Sequence, residues 1–106
     1  MKTGLVISTT DSEILWNAFR FGCFAAERGD QVRAFLLGPG VEAEQRDTDQ
    51  FPVSNQMQRF VDLGGQILAC GTCLKIRNAG GSDLCPISTM ADLYALVHEC
   101  ERVLSF

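Results

Sequence analysis

The chain has 106 residues, 46% hydrophobic and 21% charged, with a formal net charge of −4 and five cysteines. That length and balance suit one globular domain over residues 1–106 with its own core, and exclude a disordered chain. Nine scattered Lys and Arg residues supply no basic face for phosphates, so no nucleic-acid partner is expected.

Lys2 is the one charged residue before the first apolar run, and no signal peptide or anchor is evident there. No later run approaches the ~20 apolar residues of a bilayer span, which points to a cytoplasmic protein with no membrane partner. Leu5-Val6-Ile7, ending in Ser8-Thr9-Thr10, has the continuous apolar character of a central parallel strand. Asp11 or Ser12 is suited to cap the following helix, which runs from Glu13 to Arg28. Its apolar residues include Trp16, Phe19, Phe21 and Phe24, more than the ~100° stripe of a surface helix. The surplus requires a second cover. Another copy of the chain is the simplest one, and the alternative is the loop after residue 38 folding back.

Gln31 to Leu37 makes a second strand, broken by Gly38-Pro39-Gly40. Val41 to Phe51 holds four acids and Arg46 with little periodicity, suggesting one short helical turn and a mobile connection. A helix opening at Pro52 or Ser54 carries Met57, Phe60, Val61 and Leu63 and ends at Gly64-Gly65. Gln66 to Ala69 is a third strand, and Leu84 to Ile87 a very short fourth segment. Ser88 or Thr89 caps a final helix, and Val103 to Phe106 forms a terminal strand. This alternation implies an α/β fold. The expected architecture is a three-layer α/β/α sandwich on a mostly parallel sheet of about five strands, flavodoxin-like in kind.

The chemistry concentrates at Cys70-Gly71-Thr72-Cys73, where the third strand stops and helical spacing begins at Leu74 and Ile76. A helix N-terminus with Lys75 and Arg77 nearby favours a thiolate, which makes Cys70 the candidate nucleophile and the most reactive of the five thiols. Cys73, one turn on, is either a resolving thiol or a packed one, and is expected to be the less accessible of the pair. Thr72, Arg77 and Cys85 are candidate accessory residues, since all strand C-termini of a parallel sheet share one edge. Cys85 is expected at the end of the fourth strand. Cys23 and Cys100 suit buried, inert thiols.

Three cysteines on one edge raise the question of zinc or an iron–sulfur cluster. Structural zinc takes four Cys or His ligands, and His98, the sole histidine, belongs at the far edge, so no metal site is assigned. Thr9-Thr10-Asp11 lacks the glycines of a dinucleotide turn, and no cofactor is expected. Neither a Ser/His/Asp arrangement nor a pair of carboxylates is expected at the active edge.

The apolar strand ending in Cys70, the short helix bearing Arg77 and the glycine Gly80 resemble the DsrE-like sulfur-relay proteins, which include TusD-type persulfide carriers. The opening strand, the aromatic first helix and Phe35-Leu36-Leu37-Gly38-Pro39-Gly40-Val41 extend the resemblance over nearly the whole chain. It implies a sulfur carrier or sulfurtransferase in which Cys70 accepts sulfane sulfur from a donor protein and passes it to an acceptor protein. It also implies a homo-oligomer, a trimer or hexamer. Cys73 departs from the simplest carriers by creating a CxxC. A dithiol–disulfide protein using Cys70 and Cys73 therefore stays open, as does a ligand- or partner-binding oligomer with incidental thiols.

Overall fold

The computed structural model describes residues 1–106. Its five strands are β1 Lys2–Ile7, β2 Gln31–Leu36, β3 Gln66–Cys70, β4 Ile87–Ser88 and β5 Arg102–Ser105. They form one all-parallel sheet in the order β4-β3-β2-β1-β5. Helices α1 Ser12–Glu27, α2 Val53–Asp62, α3 Gly71–Ile76 and α4 Met90–Glu99 alternate with the strands, and a 3₁₀ segment, Gly38–Gln45, follows β2.

The strand register builds two buried layers. Leu5 pairs with Ala34 and Ala34 with Ile67, so these side chains share one face, while Val6, Phe35 and Leu68 share the other. Gly22 of α1 lies against Leu5 and Phe60, whereas Gly4 lies against Leu96 of α4 and Cys100. Consequently α1 and α2 cover one face and α4 the other, the expected three-layer sandwich. From β1 the chain steps three times in one direction and returns only after β4, which leaves α4 alone on its side. One helix does not bury its own outer surface there. Met90, Tyr94 and Val97, at helical spacing, are 60%, 71% and 53% exposed.

Two of the four aromatic residues of α1 are covered within the chain. Phe19 is fully buried edge-on to Phe60 of α2, and Trp16 packs against Phe51 with ring centroids 5.8 Å apart. The loop after residue 38 thus folds back over Trp16, the alternative cover, while Ile14, Phe21 and Phe24 stay exposed on α1. That loop is also tied down, contrary to the expected mobile connection. Ser12 Oγ donates to the Arg46 carbonyl at 2.6 Å, and the Ser54 N–H donates to Asp47 Oδ1 at 2.6 Å, satisfying the start of α2. The 3₁₀ segment lies directly on the end of β1. A Cβ on the buried Gly40 would stand 2.2 Å from the Ile7 carbonyl oxygen, so only glycine allows that approach.

Candidate functional site

The carboxyl end of β3 is where the chain turns into α3. Cys70 is the last residue of the strand and the N-cap of the helix, paired with Ser88 of β4. Strand pairing sets its side chain against the sheet, and it is only 3% exposed. Cys70 lines a cleft of about 350 Å³ together with Gly71, Thr72, Ile87, Ser88, Thr89 and Met90. Cys73, one helical turn on, is half-buried. The expected order of accessibility is thus reversed. The strand-end thiol is the enclosed one, because it still belongs to the ladder, while the helical thiol, beyond the ladder, is only partly buried against the core.

Cys73 also has a backbone amide on its sulfur. The backbone N–H of Gly38 donates to Cys73 Sγ at 3.2 Å, from a residue whose φ of +56° suits glycine. Burial pushes the Cys73 thiol up, the adjoining Cys70 sulfur adds to the rise, and the Gly38 amide and Arg77 guanidinium oppose it. Arg77 donates through one terminal nitrogen to the Cys73 carbonyl at 3.0 Å and through Nε to Glu42 at 2.8 Å. Glu42 in turn accepts from Arg46 at 2.5 Å. These bonds, that from Arg77 foremost, hold the Glu42 carboxyl below the usual carboxylate range.

A second cleft, of about 420 Å³, lies on the opposite side of β3, between the 3₁₀ segment and the loop after α3. Val41, Ala69 and Leu74 form its apolar wall, and Glu42, Glu44, Arg77 and Cys85 also line it. Cys85 is buried, and its thiol is pushed up to about 12 by burial and by the hydrogen-bonded Glu44 carboxylate. Ser82 Oγ donates to the same carboxylate at 2.5 Å and accepts from the Cys85 N–H at 3.0 Å.

Two expectations change here. Cys85 precedes β4 rather than ending it, because Pro86 has no N–H to start a ladder and contributes only its carbonyl, which accepts from the Ala69 N–H at 2.9 Å. Cys85 consequently opens on the second cleft, apart from Cys70. Carboxylates do stand at this edge, since Glu42 and Glu44 of the 3₁₀ segment line the second cleft. The sequence signal for Glu42 was its i,i+4 spacing from Arg46; no local pattern announced the contact with Arg77, 35 residues away.

Thr72 is exposed on the rim of the Cys70 cleft, and Arg77 reaches Cys73 rather than Cys70. Cys23 is 1% exposed and bonded to Gln56, with burial pushing its thiol up. Cys100 lies beside Gly4 and Arg33 at the amino-terminal edge of the sheet, and His98 stacks on Tyr94 along α4. No three His, Cys, Asp or Glu side chains gather as metal ligands would. No helix is long and apolar enough to cross a membrane.

Comparison with known proteins agrees with this architecture. The structure of YchN from E. coli superposes with a TM-score of 0.84 at 20% identity, covering 100% of both chains, which establishes likeness of fold. An uncharacterised protein of Methanocaldococcus jannaschii, MJ0989, is 32% identical over 114 residues, covering 100% of both chains. Another from Methanopyrus kandleri, MK0008, is 29% identical over 100 residues, covering 89% of this chain and 83% of its own length. The DsrE/DsrF-like family model matches residues 1–106, and the chain belongs to that family.

Proposed function

We propose that this protein is a cytoplasmic sulfur carrier that takes up sulfane sulfur as a persulfide on Cys70 and hands it to a partner protein. The observation that carries this reading is the pair of thiols at the β3–α3 junction, with Cys70 lining a cleft and Cys73 beneath a backbone amide. Loading consists of attack by the Cys70 thiolate on the outer sulfur of a donor persulfide. A Cys70 persulfide forms, and the donor leaves as its thiolate. Family membership supports the same reading. The adjoining Cys70 and Cys73 sulfurs also support a second one, a dithiol that cycles to a disulfide.

Mass spectrometry of the reduced protein after exposure to a persulfide donor separates the readings. A gain of about 32 Da on the Cys70 peptide is expected for a carrier. Loss of two hydrogens across Cys70 and Cys73 favours the disulfide protein, and neither change leaves a binding protein with incidental thiols.

The carrier is a homo-oligomer in this proposal, with the exposed stripe of α4 in the contact. Met90, Tyr94 and Val97, with Val103 on the neighbouring β5, form more exposed apolar surface than α1 retains. Light scattering at micromolar concentration should therefore give a mass above that of the monomer. Tyr94→Glu should lower it, because an unpaired charge buried in an interface costs several kcal/mol, on the order of 3–5. A monomeric wild type defeats the proposal, and an undiminished Tyr94→Glu assembly removes α4 from the contact.

A further inference from the structure

The geometry points to Glu42 as a positioning residue for the thiol pair, one that clips the Gly38 loop to α3 and so keeps the Gly38 amide on the Cys73 sulfur. The role assigned here depends on the proposed thiol chemistry only in treating Cys73 as a working group. Three contacts form a closed circuit. Gly38 opens the 3₁₀ segment and donates to Cys73 Sγ. Glu42, in the same segment, receives Arg77 Nε. Arg77, just past α3, returns to the Cys73 carbonyl. Arg46 holds the second Glu42 oxygen, so both carboxylate oxygens are occupied and the segment is fixed from both sides. Without Glu42, Gly38 is still held from the β1 side, by the Leu37 N–H on the Ile7 carbonyl and by Gly40 against the end of β1, but the side-chain hydrogen-bond tie from the segment towards α3 is gone.

The role has a signature that distinguishes it from charge or plain stability. Cys70 and Arg77 are the titratable and charged groups acting on Cys73. If Glu42 acted only by its charge, removing that anion would free Arg77 to attract the thiolate and would quicken Cys73. If Glu42 positions the amide, removing it withdraws a donor from the thiolate and slows Cys73. Hydrogen bonds to charged groups are worth about 1.5–3 kcal/mol, so loss of this one is expected to slow alkylation on the order of tenfold.

The test uses the full-length, sulfur-free protein. The rate of iodoacetamide alkylation at Cys73 is followed by peptide mass spectrometry across pH, and the Gly38 amide by its ¹H–¹⁵N signal. In the wild type the Gly38 signal should move as Cys73 ionises. In Glu42→Ala alkylation should slow by about tenfold and the Gly38 signal should lose that dependence. Glu42→Gln, a milder loss because neutral hydrogen bonds are weaker, should shift both readouts in the same direction and serves alone if the alanine variant does not fold. Faster or unchanged alkylation in the variants, or a Gly38 signal that still follows Cys73, overturns the assignment. A wild type that never gains sulfur would sink the carrier reading and leave this result intact.

Discussion

Cys70→Ser is expected to reduce sulfur loading to background, while Cys73→Ser should load like the wild type and hold its persulfide longer. The asymmetry follows from the geometry of the two sulfurs. Cys70 lines the cleft beside Thr72, Ser88 and Thr89, which is the entry proposed for the donor persulfide. Cys73 adjoins Cys70 from the other side, under the Gly38 amide. Its thiolate can attack the inner sulfur of a Cys70 persulfide, forming the Cys70–Cys73 disulfide and releasing hydrosulfide. Removing Cys73 closes that exit. Its serine replacement still offers the Gly38 N–H an acceptor, so the fold should persist. In a dithiol–disulfide protein both variants are inactive, and Cys73→Ser traps a mixed disulfide on Cys70. Intact mass of each variant, with a circular dichroism spectrum to verify folding, decides the matter. A folded Cys73→Ser variant that cannot load overturns the carrier assignment.

Gly40→Ala is the substitution expected to damage the fold most. The added methyl would lie 2.2 Å from the Ile7 carbonyl oxygen and 3.1 Å from the Ser8 Cα, both backbone atoms with no rotamer to yield. Either the 3₁₀ segment lifts or the end of β1 moves. Overpacking typically costs about 1–3 kcal/mol, and a contact with backbone belongs at or above the upper end. For a domain of this size that corresponds to a fall in Tm on the order of 15 °C. Gly80→Ala is the matched control, because no atom lies within 4 Å of its Cβ position. A Gly40→Ala melting curve superposing on that control would show that the segment does not lie on β1 as described.

What the sequence disclosed and what it withheld divide along local and non-local lines. The strand–thiol–helix junction was legible because Gln66–Ala69 is apolar, Cys70 ends it, and Leu74 resumes at helical spacing. The all-parallel sheet followed from alternation of strands with helices. Strand order did not, since nothing within an apolar run says on which side of β1 its neighbour pairs. For the same reason α4 could not be foreseen as the lone helix on its face, and the choice between the loop and a second copy over Trp16 stayed open until Phe51 was placed on it. Within the site, the exposure of Cys70 and Cys73 turned on where the ladder ends. One further residue of pairing, Cys70 with Ser88, closed the first thiol and left the second more open. The parts that Gly38 and Glu42 play at the site were hidden because both act across 35 residues through an irregular segment with no periodicity.

The cleft at Cys70 also constrains traffic. Cys70 lines one cavity, and the second cleft across β3 is lined by Cys85, whose thiol, at about 12, is almost wholly protonated near neutral pH. For a carrier of this kind, donor and acceptor must use the same doorway, so they take turns. Turnover is then ping-pong: the loaded and empty forms are distinct species in time, the acceptor competes with the donor for the empty form and the donor with the acceptor for the loaded one, so an excess of either slows the exchange.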